Sequence, residues 1–105
     1  MADSPTKRSM DRLRAEGWLV EVVERWIPRV NIRKDLWGFI DLLAIKDGEV
    51  LAVQATSGSN VSGRVKKIAE HENIEQVRML GWRIEVWGWR KSARNRWVLR
   101  VVDVS

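Results

Sequence analysis

The chain has 105 residues, which is enough for one domain around one core and too few for two domains of ordinary size. Hydrophobic residues make up 45% and charged residues 31%, which excludes general disorder, and no apolar run approaches the ~20 residues of a membrane span, so a soluble, cytoplasmic protein is expected. The formal net charge of +5 favours a polyanionic partner such as nucleic acid, while the absence of Cys excludes disulfides and thiolate metal sites.

Hydrophobic periodicity and turn residues predict the order α-β-β-β-α-β-β along a single domain, residues 1–105. Ser4 suits a helix cap, Gly17 a helix stop, and the basic segment 29–34 is predicted to be a loop. The predicted elements are a helix at 6–16, strands at 18–26, 36–45 and 50–57, helical pieces that begin after Ser62 and Asn73, and strands at 82–90 and 97–104. We therefore expect an α/β domain with a central mixed sheet flanked by helices.

The dipeptide Asp47-Gly48 predicts a two-residue hairpin turn between the second and third strands. In such a hairpin Lys46 faces Glu49, and Asp41 therefore faces Gln54 on the same side of the sheet. Asp41 interrupts an otherwise apolar run, and a buried carboxylate is costly unless it has a partner or a cation. This pair is the first candidate for a functional site.

Two further polar residues are candidates for the same site. Thr56 projects from the same face as Gln54, and Glu24 lies among the apolar even-numbered positions of the first predicted strand. Two carboxylates and an amide oxygen suit a hard cation such as Mg²⁺ or Mn²⁺. The alternative is an internal hydrogen-bond network in which Gln54 donates to Asp41 and no metal is bound.

The segments Gly38-Phe39-Ile40-Asp41 and Val53-Gln54-Ala55-Thr56-Ser57 resemble the second- and third-strand motifs of the PD-(D/E)XK nuclease superfamily. That superfamily includes restriction endonucleases and the phage and archaeal Holliday-junction resolvases. The resemblance implies a restriction-endonuclease-like core in a protein of a bacterial or phage-infected cell. It also implies metal-dependent cleavage of DNA, including branched or structured DNA, with Asp41, Gln54 and Glu24 as candidate metal ligands.

The resemblance departs from the family pattern at Thr56, which stands where the family has a Lys. Some divergent members recruit a basic residue from the following helix, and Arg64, then Lys66 or Lys67, are the candidates in this sequence. A basic side chain there would stabilise charge that develops on the phosphate. The resemblance thus gives Arg64 a candidate catalytic role.

Basic residues before and after the candidate site are expected to contact phosphate, namely Arg29, Arg33, Lys34, Arg64, Lys66 and Lys67. Three functions remain open from the sequence. The first is a Mg²⁺-dependent endonuclease, which could act as a homodimer. The second is a catalytically inactive DNA-binding module on the same fold, and the third is a structural homo-oligomer whose Trp-rich terminal strands form the interface.

Overall fold

The structure is a computed structural model that describes residues 4–105, so residues 1–3 of the predicted domain lie outside the described part. Its helices are α1 (Pro5–Ala15), α2 (Val61–Ala69) and α3 (Ile74–Arg78). Its strands are β1 (Leu19–Val22), β2 (Arg25–Ile27), β3 (Ile32–Lys34), β4 (Leu42–Lys46), β5 (Glu49–Ser57), β6 (Arg83–Lys91) and β7 (Trp97–Asp103). None of the helices within residues 4–105 is long and apolar enough to cross a membrane.

Five of these strands form one mixed sheet in the order β1-β4-β5-β6-β7, as the sequence predicted for the fold class. Only β5 and β6 run parallel, and the α2–α3 segment connects them. The other neighbours are antiparallel, and β2 and β3 form a separate two-stranded hairpin. A parallel pair needs such a crossover connection, which explains why the helices stand between these two strands.

The β4–β5 hairpin has the predicted turn and register. Asp47 and Gly48 both have positive φ, at 51° and 79°, which is the geometry of a two-residue turn that matches the twist of its strands. Lys46 pairs with Glu49 and Leu42 with Val53. This register carries the polar residues of β5 to the level of Asp41.

Two hydrophobic clusters cover the two faces of the sheet, because successive strand residues point to opposite sides. On the α1 face the buried residues are Leu13, Val20, Leu42, Ala44, Leu51, Val53, Trp87 and Trp89. On the face that α2 and α3 cover, they are Phe39, Ile40, Ala52, Val61, Ile68, Ile74, Val77, Ile84, Val86 and Val104. Ala52 lies on the second face, so Gln54 and Thr56, which follow it at every other position, point to that side as well.

The predicted first strand, 18–26, was wrong in its second half. β1 ends at Val22. The Val23 N–H still donates to the Asp41 carbonyl at 2.8 Å, and beyond Val23 the chain leaves the main sheet. Residues 25–27 then pair with residues 32–34, so part of the predicted basic loop is a strand. Short β-type runs do not reveal which partner they will pair with, and this exit at Glu24 is the reason the prediction failed.

The predicted second strand began too early. Residues 36–40 form a tight turn in which the Leu36 N–H donates to the Ile40 carbonyl and both Trp37 and Gly38 have positive φ. Phe39 and Ile40 are nevertheless fully buried. The segment therefore has the apolar composition of a strand, but its backbone forms a turn. The helix prediction also shifted slightly, because α2 begins at Val61 and Ser62 is not its cap.

The Trp residues of the terminal strands differ in exposure. Trp87 and Trp89 are buried in the α1-side cluster, and Trp89 Nε1 donates to Ser9 Oγ at 2.9 Å. Trp97 is 41% exposed, with the Arg8 guanidinium 3.4 Å from its ring centroid. Trp87 and Trp89 therefore belong to the core and are not available to the interface of an oligomer.

Candidate functional site

Asp41 is a buried carboxylate held by the β5 strand. Only 3% of its surface is exposed, and its backbone N–H donates to the Val53 carbonyl at 2.9 Å. Its Oδ2 accepts hydrogen bonds from the Gln54 side-chain amide and from the Ala55 backbone N–H, both at 2.8 Å. The predicted approach of Asp41 to Gln54 is therefore confirmed, and the two donors fix the orientation of the carboxylate.

Three carboxylates converge at this point. Glu24, Asp35 and Asp41 each place an oxygen within 4.8 Å of the other two. Glu24 arrives from the bend between β1 and β2, and Asp35 from the residue after β3, so the β2–β3 hairpin brings both to the sheet. Gln54 contributes to the same group, because its Nε2 also lies 3.4 Å from Asp35 Oδ2.

Asp35 is the member of this group that the sequence did not predict as a site residue. It lies six positions before Asp41, and its carbonyl accepts from the Gly38 N–H at 3.1 Å. Asp is common at the start of turns, and that local role offered a sufficient explanation for its presence. The sequence did contain one signal for Asp35 as a site residue: it stands before a turn, and the residue directly after that turn is a second, buried acid.

Burial and a neighbouring acid change the protonation of Asp41. Its pKa is raised to about 8, chiefly by burial and further by the hydrogen bond and charge of Asp35. The hydrogen bonds that Asp41 accepts from the Ala55 N–H and the Gln54 Nε2 lower its pKa, but by less than burial and Asp35 raise it. A bound cation would favour the ionised form instead, because opposite charge lowers the pKa of a carboxyl.

Gln54 carries a polar atom that protein groups leave unsatisfied. Its Oε1 is buried and has no hydrogen-bond partner among residues 4–105, whereas its Nε2 donates hydrogen bonds to the carboxylates of Asp41 and Asp35. Buried oxygens are almost always paired with a donor, water or an ion. Three carboxylates within reach of one another form a donor set that suits Mg²⁺ or Mn²⁺, so the residues present fit such an ion.

These residues open into a cavity of about 500 Å³ that basic side chains also line. Thr56, which is 5% exposed, lies on its wall beside Gln54. Arg64 and Lys67 line the cavity from α2, and Arg33 lines it from β3 with its guanidinium 3.7 Å from the Glu24 carboxylate. The cavity therefore combines a cluster of acids with cations placed to bind an anion.

The remaining predicted phosphate contacts lie elsewhere. Lys66 does not line this cavity and lies in a separate surface groove on α2. Lys34 lines a neighbouring cleft, which shares Asp35 with the acidic cavity. Arg29 is exposed in the connection between β2 and β3 and makes no hydrogen bond or ion pair with the described residues. Of the six basic candidates, three thus line the cavity with the acids.

Comparison of the chain with protein-family models, with curated proteins and with solved structures found no match.

Proposed function

We propose that the protein is a metal-dependent nuclease that cleaves DNA in the cavity formed by Glu24, Asp35, Asp41 and Gln54. The observation that carries this proposal is the convergence of three carboxylate oxygens within 4.8 Å beside a buried amide oxygen without a partner. Mg²⁺ and Mn²⁺ require such oxygen ligands, and phosphodiester hydrolysis commonly relies on them. The basic residues in the same cavity supply the charge that a nucleic-acid backbone needs.

When bound, the metal ion would act as a Lewis acid and make a water ligand more acidic. The protein's own residues have separate tasks. Gln54 and the Ala55 N–H hold Asp41 in one orientation. Arg64 and Lys67 line the cavity and can bind the phosphate and stabilise its developing negative charge.

Thr56 stands at the position where the nuclease family has a Lys, and its hydroxyl can donate a hydrogen bond to a phosphate oxygen. It cannot supply positive charge, so this task would fall to the cations of α2. Arg64 and Lys67 lie three residues apart on that helix and therefore on one face of it. Their common presence in the cavity supports the proposal that the helix replaces the missing Lys.

The order of the elements also supports a restriction-endonuclease-like core. An acid precedes β4, an amide lies on β5, and a helical crossover follows before the parallel strand β6. This is the arrangement that the resemblance at Asp41 and Gln54 implies for the nuclease superfamily. The site then lies on the face of the sheet that α2 covers.

A cleavage assay tests the proposal. Wild-type protein is incubated with branched, single-stranded and duplex DNA in Mg²⁺, Mn²⁺ or EDTA, beside Asp41→Asn and the control Glu21→Gln. Glu21 is an exposed acid of β1 outside the cavity, so its variant should cleave like wild type. We expect metal-dependent cleavage that Asp41→Asn lowers by orders of magnitude. Unchanged cleavage by a well-folded Asp41→Asn protein would refute this site.

A second candidate function is a DNA-binding module without catalysis, which the Thr at position 56 favours. It predicts DNA affinity that falls steeply with salt and on replacement of Arg29, Arg33 and Lys34 by Ala, because each phosphate contact releases counterions. Binding of this kind without any metal-dependent cleavage would favour the module over the nuclease. Salt-independent affinity would contradict both functions.

A further inference from the structure

A second cleft lies next to the acidic cavity, and Asp35 lines both. Its volume is about 650 Å³, which lies within the ~300–1,000 Å³ of typical small-ligand sites. Val23 and Leu36 form part of its lining and pack against the hydrophobic core behind them. The cleft thus has an apolar wall and adjoins the proposed active site at one carboxylate, that of Asp35.

Trp37 offers an aromatic surface in this cleft. Its side chain is 44% exposed, and it is one of the lining residues. The ring contacts Trp82, with centroids 6.0 Å apart, and its carbonyl accepts from Asn73 Nδ2 at 3.1 Å. The indole is therefore held in place yet accessible, and such a ring can stack on a nucleobase with little loss of side-chain freedom.

Arg25 and Lys34 add two cations to the same cleft. They are directly opposed partners on the β2–β3 hairpin, so their side chains point to one side. Neither side chain makes a hydrogen bond or an ion pair with the residues that the structure describes, although the acids Asp35 and Glu72 also line the cleft. Like charges that face each other across strands are destabilising, and a phosphate between them would relieve this repulsion.

We infer that this cleft binds an unpaired nucleobase next to the phosphate that is cleaved, with Trp37 stacked on the base and Arg25 and Lys34 at the adjoining phosphate. The inference rests on the proposed nuclease function and specifies its substrate class. Bases of an intact duplex are stacked on each other and cannot enter a cleft of this kind. The substrate is therefore DNA with a single-stranded segment rather than uninterrupted duplex.

The test measures binding rather than cleavage. Asp41→Asn protein in EDTA is titrated against a fluorescein-labelled single-stranded oligothymidylate and against a duplex of the same length, by fluorescence anisotropy. We expect Trp37→Ala to weaken binding of the single strand by about 5- to 100-fold, as the loss of one base-stacking contact implies, and to change duplex binding little. Trp37→Phe should restore most of the affinity because it keeps an aromatic ring.

Trp97→Ala is the matched control, since Trp97 is 41% exposed on β7 and does not line the cleft. Arg25→Ala and Lys34→Ala should each lower the salt slope of single-strand binding by about one, whereas Trp37→Ala should leave it unchanged. Equal effects of Trp37→Ala and Trp97→Ala, or equal loss of duplex and single-strand affinity, would overturn the inference. A Trp37-dependent single-strand affinity in a protein without cleavage activity would sustain the cleft and refute only the nuclease.

Discussion

The Gln54 side-chain amide joins two acids of the site, because its Nε2 lies 2.8 Å from Asp41 Oδ2 and 3.4 Å from Asp35 Oδ2. Asp41 and Gln54 are 13 residues apart, and the β4–β5 hairpin makes them neighbours. One donor group cannot neutralise two carboxylates, and the Oε1 of the same amide has no partner. A water molecule or a cation would supply the partner that this oxygen lacks among the described residues.

The first prediction concerns the stability of the metal-free protein. The pKa of Asp41 is raised from 3.8 to about 8 in the folded state. Below pH 4 the group is protonated in both states, and between pH 4 and 8 the unfolded chain releases a proton that the folded protein retains. The free energy of unfolding should therefore fall as the pH rises through this window, by up to about 1.4 kcal/mol per unit.

Asp41→Asn removes this titration while keeping an oxygen that can accept from Gln54 and Ala55. Urea unfolding in EDTA at several pH values should show the variant gaining stability over wild type as the pH rises from 4 to 8. Added Mg²⁺ should reduce the difference, because it binds the ionised wild-type site. Parallel stability curves for the two proteins would contradict a raised pKa at Asp41.

The second prediction concerns Asp35, the acid that sequence patterns did not indicate. Asp35→Asn removes one of three converging carboxylates and should weaken Mn²⁺ binding by about an order of magnitude or more, since ligand charge sets the affinity of such sites. Isothermal titration with Mn²⁺ measures this directly. Glu21→Gln removes one charge outside the cavity and should leave the affinity unchanged. Equal affinity of Asp35→Asn and wild type would exclude Asp35 as a ligand.

The position of Asp41 beside Gln54 could be predicted from sequence, because the residues that determine it lie within one short stretch of the chain. Asp47-Gly48 specifies the turn, the turn specifies the register, and the register places Asp41 beside Gln54. Burial of Asp41 followed from the apolar residues around it. The alternation of the first predicted strand places Glu24 on the side of Val20, which faces α1, and Glu24 reaches Asp41 because the chain leaves the main sheet after Val23.

The β2–β3 hairpin could not be predicted in this way. Its register depends on where β1 leaves the main sheet, and no turn dipeptide of the Asn-Gly or Asp-Gly kind stands between the two strands. The turn at 36–40 was equally obscure, because Trp37 is a bulky residue with positive φ and Phe39 and Ile40 are buried as strand residues would be. Asp35 and the neighbouring cleft follow from these tertiary features.

The third prediction tests that turn. Gly38 has a φ of 93°, and a Cβ at this position would overlap the His71 imidazole. Gly48 has a φ of 79° but open space around it, so Gly48→Ala isolates the backbone cost of about 1–2 kcal/mol. Gly38→Ala should cost clearly more, and His71→Ala in the same chain should recover part of the excess. Urea unfolding that shows equal losses at both glycines would contradict the close approach of His71.

The fourth prediction separates three basic residues of α2. Arg64 and Lys67 line the cavity with the acids, whereas Lys66, which is adjacent in sequence to Lys67, does not. If the helix supplies the positive charge that Thr56 cannot, Lys67→Ala should lower the single-turnover cleavage rate roughly 100-fold, a typical cost of removing one group that stabilises transition-state charge. Arg64→Ala should act in the same direction.

Lys66→Ala removes the same charge from the same helix and should leave the cleavage rate close to that of wild type. Because both Lys substitutions reduce the net charge equally, general electrostatic attraction to DNA cannot produce a difference between them. Arginine at position 67 should restore more activity than glutamine, since it keeps the charge although not the shape of the ammonium group. If Lys66→Ala and Lys67→Ala slow cleavage equally, these lysines contribute through their overall charge, and Lys67 has no specific role in stabilising the transition state.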